Sequence, residues 1–194
     1  MAVNADRKNG FVPVGTTTGN PWNDSVEVIT LDATHAALYI GDVIKMTADG
    51  YPEIFAAGDS AVTALGVVVG VEVNRGLNAS TEHPGYMPIN VAGKVLVVTD
   101  PNVIFEVQED GVGGSLALAD VGLNIEIING GGSATTGLSG MEIDSSTKAT
   151  TATLPFRLLK LVNRPDNELG STATPEARWL VKFNEHFYKQ VTGV

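Results

Sequence analysis

The sequence predicts a mainly β protein, a β-barrel or β-sandwich with few short helical turns. Three observations carry this. The chain holds 22 Gly and 9 Pro among many Val, Ala and Thr residues, a mix suited to short strands joined by turns. No long segment keeps a helical apolar period. The segment near the end alternates with period 2: Trp179, Val181, Phe183 and Phe187 fall on one face, with Lys182, Asn184 and His186 on the other.

Residues 1–25 read as an extended N-terminal arm, because Pro13, Gly15, Gly19, Pro21 and a Thr run break any periodicity. Phe11, Val12, Val14 and Trp22 are apolar groups stranded in it. They are candidate interface residues, docking either on the chain's own body or on a neighbour. Removal of residues 1–22 is then expected to weaken partner binding more than folding.

The β-rich body is expected over residues 26–194, with a possible subdivision near residue 100. Val26 to Leu31 is a strand, and Asp32 to Tyr39 is a helical turn with Asp32 or Thr34 as its N-cap. Val43 to Met46 and Tyr51 to Phe55 flank Ala48-Asp49-Gly50, a hairpin signal. Leu65 to Val73 is a β-branched strand in which Gly66 and Gly70 predict a bulge or a close backbone approach. A polar loop over 74–88 leads to a strand pair, Ile89 to Val91 and Lys94 to Thr99. Strands are then expected at Val103 to Gln108, Leu123 to Ile128, Met141 to Ile143, Thr153 to Val162 and Arg178 to Tyr188. One helical turn falls at Leu116 to Val121, with loops at 129–140, 145–150 and 165–176.

Composition narrows the function classes. A chain of 194 residues can bury one good core. The formal net charge of −10 repels phosphate and argues against nucleic-acid binding. The absence of Cys excludes disulfides, thiolate metal sites and a Cys nucleophile, and suits folding in a reducing cytoplasm. The longest apolar run, Leu65 to Val73, is too short and too interrupted to span a bilayer, and the first ten residues carry no apolar signal core.

No catalytic constellation emerges. His35, His83 and His186 lack metal spacing and read as surface or structural groups. Gly58-Asp59-Ser60 lacks the glycine that follows a protease-type serine, since Ala61 stands there. Gly137-Leu138-Ser139-Gly140-Met141 lacks the last glycine of a nucleophile elbow. Gly111-Val112-Gly113-Gly114-Ser115 has Leu116 where a dinucleotide fingerprint needs its third glycine. Glu106, Glu109 and Asp110 cluster, as do Glu142 and Asp144, without the spacing of a calcium loop. The expectation is no enzyme, no cofactor and no metal site. The sequons at Asn23 and Asn78 carry no weight without a signal peptide.

Residues 99–124, TDPNVIFEVQEDGVGGSLALADVGLN, and 137–169, GLSGMEIDSSTKATTATLPFRLLKLVNRPDNEL, resemble stretches of phage head structural proteins. The ending ARWLVKFNEHFYKQVTGV and the opening NGFVPVGTTTGNPWN resemble the same group, the capsid cement or decoration proteins of tailed bacteriophages, especially short-tailed ones. The resemblance implies a β-rich structural protein of the virion, on the outer capsid surface and assembled in the host cytoplasm. Its implied partners are the major capsid protein and copies of itself, a homo-oligomer with a trimer favoured over a dimer. It implies no nucleic-acid or membrane partner. The alternative is a β-sandwich carbohydrate-binding or host-adhesion module, with Trp22, Trp179, Tyr39, Tyr51 and Tyr86 as stacking residues.

Overall fold

The computed structural model describes residues 4–73, 85–171 and 173–189. Its strands are β1 (Val12–Thr16), β2 (Val26–Leu31), β3 (Val43–Met46), β4 (Pro52–Ile54), β5 (Ala64–Val73) and β6 (Gly93–Val98). They continue as β7 (Val103–Gln108), β8 (Asn124–Ile125), β9 (Ile127–Ile128), β10 (Glu142–Ile143), β11 (Phe156–Leu161) and β12 (Arg178–Phe183). The helical content described is four short 3-10 turns, at Trp22–Ser25, Ala61–Thr63, Leu118–Asp120 and Phe187–Lys189.

The protein is mainly β, and its two five-stranded antiparallel sheets are not closed as a barrel. Sheet A runs β1-β7-β12-β11-β8 and sheet B runs β2-β6-β5-β3-β4, with β9 and β10 as a separate pair. Sheet B is therefore made by residues before 100, and sheet A by the later residues plus β1. One core nevertheless spans both sheets. Phe105, Phe156, Trp179, Val181 and Phe183 of sheet A pack with Val43, Val67 and Val98 of sheet B.

Sheet A behaves as alternation predicts. Val103, Phe105 and Val107 of β7 are buried between the half-buried Ile104 and Glu106, and Trp179, Val181 and Phe183 of β12 are buried between Leu180 and Lys182. Sheet B buries parts of both faces. Val43 faces the shared core, while Ile44 joins a second cluster with Leu31, Leu38, Leu65, Val68, Met87, Val95 and Val97. β3 and β5 therefore carry apolar residues on both faces, interrupted by Lys45 in β3 and Glu72 in β5.

The glycines of β5 do what their spacing predicts. A Cβ at Gly66 would overlap the Val98 carbonyl oxygen, so only Gly lets β5 and β6 approach there. The register of β5 on β6 shifts between Val68 and Gly70, a bulge.

Four local expectations fail. Asp32 to Tyr39 is not helical: Asp32 accepts the Thr34 N–H (2.9 Å) and hydroxyl (2.5 Å), and this local turn competes with a helix. Ile89 to Val91 is a turn with Asn90 at φ 59° instead of a strand, and β6 pairs with β2 and β5. Leu123 to Ile128 breaks at Glu126, sending β8 to sheet A and β9 to β10. The closing strand ends at Phe183, and Phe187 lies in a 3-10 turn. Most of the predicted 74–88 loop lies outside the described residues, as do His83 and the Asn78 sequon.

Candidate functional site

The expected arm is stitched to the body from Asn4 to Thr16. Phe11 is 1% exposed and stacks on Phe156, with ring centroids 4.6 Å apart. Burying such a side chain contributes about 2 kcal/mol. β1 pairs with β7 and forms one edge of sheet A, where Pro13 and a register shift between Pro13 and Gly15 are tolerated because no further strand pairs there among the described residues. Of the four candidate interface residues, Phe11 is committed to the chain's own core. Val12 and Trp22 are half-buried, with Trp22 packed against that core, and Val14 is exposed.

The start of this strap enters the 165–176 loop. Asn4 is buried with φ 55°; its amide donates to Glu168 O and Thr174 O (both 3.1 Å) and accepts the Glu168 N–H (2.9 Å). The Asn4 N–H donates to Asp166 O (3.2 Å). Further on, the Arg7 N–H donates to Gln108 Oε1 (2.9 Å), and Lys8 Nζ lies 2.7 Å from the buried Glu142. Gln108 in turn donates to Asp6 and Glu142 (2.8 and 3.0 Å). Burial pushes the Glu142 carboxyl up, against the pull of Lys8; the hydrogen bond to Glu142 holds the Lys8 ammonium above its ordinary value.

Strap and loop enclose an open cleft of about 780 Å³ lined by Arg7, Lys8, Glu106, Arg164, Asp166 and Arg178 among others. Glu106 ties two guanidiniums together, at 2.9 Å from Arg164 and 3.4 Å from Arg178. Arg178 also donates to Asn9 Oδ1 (2.9 Å) and to the Arg7 carbonyl. The cleft is thus charged, and its ions are largely spent on each other.

The other sequence candidates lie apart. Glu109 is fully buried, accepts the Leu116 N–H (2.6 Å), and is pushed up to about 7 by burial. The Trp179 indole N–H is near enough to favour the carboxylate, yet it and Glu109 Oε1 fall outside hydrogen-bonding geometry. Asp110 instead organises a turn, accepting the Ser145 N–H (3.0 Å) and hydroxyl (2.9 Å). Asp144 accepts the Ser146 N–H (2.9 Å). The acids that cluster in sequence hold separate posts, and no group of three or more metal-ligating side chains forms among the described residues.

His186, expected on a polar face, is buried. Its Nδ1 accepts the Tyr188 N–H (3.1 Å), its ring meets Phe183 edge-on, and burial pushes it down to about 4. His35 is also buried, with its ring nitrogens 2.5 Å from Ala36 O and 2.8 Å from Val91 O. Ser139 is buried, its oxygen accepting the Met141 N–H (3.0 Å). Nearby Asp42 is pushed up to about 6 by burial, and neither His35 nor His186 joins the pair in a hydrogen bond. Ser60 precedes the Ala61–Thr63 turn, beside Asp59, which binds Lys45 (2.9 Å).

Of the stacking candidates, Trp179 is buried in the core. Tyr39 stacks on Tyr86 at 4.9 Å, and a side chain at Gly132 would overlap its ring. Tyr51 remains exposed.

What the surface offers is exposed apolar sheet. On the outer face of sheet B, the row Val26-Val98-Val67 is covered by the shared core. The next row, Val28-Leu96-Gly70, passes beyond it, leaving Val28 59% and Leu96 38% exposed. Sequence reasoning missed this patch because Val and Leu in a strand read as core. Only the register on β6 shows which of them outrun the cover.

No family model matches the chain, and neither do any curated protein or solved structure.

Proposed function

We propose that this protein is a capsid cement or decoration protein of a tailed phage. It binds the outer surface of the head and stabilises contacts between capsomers of the major capsid protein. The resemblance of residues 99–124 and 137–169 to head structural proteins motivates the reading. One structural observation supports it above the others. The polar groups that could build chemistry (His35, His186, Ser139, Asp42 and Glu109) are turned inward, while the apolar side chains of Val28 and Leu96 face out. A cement protein needs a stiff body and exposed contact surface. The stitched strap stiffens this body, and oligomers gripping several capsomers turn weak single contacts into strong attachment.

The test is cosedimentation of purified protein with expanded heads stripped of their accessory proteins. Saturable, stoichiometric binding is expected, with a trimer in analytical ultracentrifugation. No affinity for heads overturns the reading. The host-adhesion alternative loses one of its stacking residues, since Trp179 lies in the core.

A further inference from the structure

The four edges of the two five-stranded sheets are unequal. The β1 edge carries Pro13 and a register shift, β4 is three residues long and begins with Pro52, and β8 is two residues long. Such features blunt an edge against pairing with another chain. β2 has none of them: six residues, Val26–Leu31, run in unbroken register against β6, without proline.

The direction of its free hydrogen-bonding groups follows from one bond. In a regular antiparallel pair, residues that turn their N–H and C=O toward the partner alternate with residues that turn them away. The Thr99 N–H donates to Ser25 O (3.2 Å), one step before the Val26–Val98 pair. Glu27, Ile29 and Leu31 therefore face β6, while Val26, Val28 and Thr30 direct their backbone groups to the open side. The Val26 N–H is used by Asn23 O. The groups of Val28 and Thr30 find no backbone partner among the described residues, and both side chains are exposed.

Charge selects the occupant. From residue 9 to residue 44 the chain has no Lys or Arg, and the open edge is flanked by Asp24, Glu27 and Asp32. Lys94, beside Thr30 on β6, faces Glu72 across the next pair. A second copy would bring the same carboxylates to this edge and be repelled, as would any acidic segment.

We propose that the β2 edge takes an extended segment of a partner protein as an added strand, apolar on the face beside Val28 and Leu96 and bearing Lys or Arg at its ends. Main-chain bonds to Val28 and Thr30 supply affinity; Val28 and Leu96 receive the apolar side chains; Asp24, Glu27 and Asp32 select the basic ends. Only the identity of the partner rests on the capsid reading.

The test uses the full chain, isotopically labelled, and a blocked peptide of sequence Lys-Val-Thr-Val-Thr-Val-Lys. Saturable slowing of amide exchange at Val28 and Thr30 is expected. The same peptide with Glu for Lys should bind about tenfold more weakly at low salt. Val28→Pro removes an outward N–H and should abolish peptide binding while the thermal midpoint stays near that of the wild type. Should V28P unfold, a peptide N-methylated on alternate residues replaces it and should not bind. Unchanged exchange at Val28 and Thr30, equal binding of the Glu peptide, or peptide-free protection through self-association overturns the proposal. Heads that bind while the peptide does not would sink the edge and leave the capsid reading intact. The reverse result would sink the capsid reading and leave the edge.

Discussion

The two sheets solve the same problem with different side chains. Sheet A buries one face under large aromatics: Phe105, Phe156, Trp179 and Phe183, joined by Phe11 from the strap. Sheet B wraps a smaller aliphatic cluster of Leu31, Leu38, Ile44, Leu65, Val68, Met87, Val95 and Val97 and lends its other face to the shared core. Interlocked aromatics make sheet A the mechanical centre. Sheet B depends on close backbone approach at Gly66, and its register leaves Val28 and Leu96 exposed.

Truncations should expose this contrast most strongly. Phe183→Ala removes a ring that contacts both Phe105 and Phe156 and should cost about 4 kcal/mol. Val95→Ala in the sheet B cluster should cost about half as much. Denaturant midpoints at constant m-value give both; equal losses would erase the distinction. For the same reason, removal of residues 1–22 would take Phe11 and β1 from the core, so that deletion should unfold the protein and point variants are needed at the surface.

A second contrast lies within sheet B. Gly66→Ala should cost about 3 kcal/mol, because the clash is with the Val98 backbone oxygen. Gly70→Ala meets only the Leu96 side chain, tightly at Cδ1 (2.8 Å), an end that can swing away, and at ordinary contact distance at Cβ (3.4 Å), and should cost under about 1 kcal/mol. Thermal midpoints rank the two.

The regions should also answer differently to pH. Glu109, beside sheet A, has its folded value raised to about 7. Its contribution is full below the unfolded carboxyl value and is lost as pH rises through 7. His186 has its folded value lowered to about 4. Its contribution is full above the unfolded imidazole value and is lost as pH falls through 4. Glu109→Gln keeps an acceptor for the Leu116 N–H and should gain about 2 kcal/mol at pH 8 relative to its effect at pH 4. Urea titrations at both pH values check this, and a pH-independent effect would contradict the assignment.

Smaller effects are expected outside the cores. Asn4→Ala should cost about 1 kcal/mol and speed amide exchange at Glu168, whose N–H it releases. Val28→Lys, on the exposed row, should change stability by under about 0.5 kcal/mol.

The legible part of the fold was the part governed by local pattern. β2, the β3–β4 hairpin, β7, β11 and β12 follow from alternation and turn residues, and Gly66 and Gly70 announced close approach and bulge. β1 was hidden because Pro13 and Gly15 look like breakers, although an edge strand accepts both. Glu126 gave no sign that it divides β8 from β9. His186 looked exposed because the strand pattern was carried past Phe183. Among site residues, Phe11 and Trp22 stood out as apolar groups in a polar segment, with their docking place left open between the body and a neighbour; Phe11 lies in the chain's own core and Trp22 packs against it. Where they dock depended on Phe156 and the shared core, partners far away in sequence. The open edge of β2 was invisible for the same reason, since an edge is defined by what does not pair with it.

The Asn4 clamp also sets an order of events during synthesis. Its partners at Glu168 and Thr174 are made long after it, and Phe11 must likewise wait for Phe156. With translation at about 5–20 residues per second, the strap stays undocked for roughly ten seconds or more while sheet B can already form. Closing the strap is therefore among the last steps of maturation, and a chain halted before its final third cannot perform it.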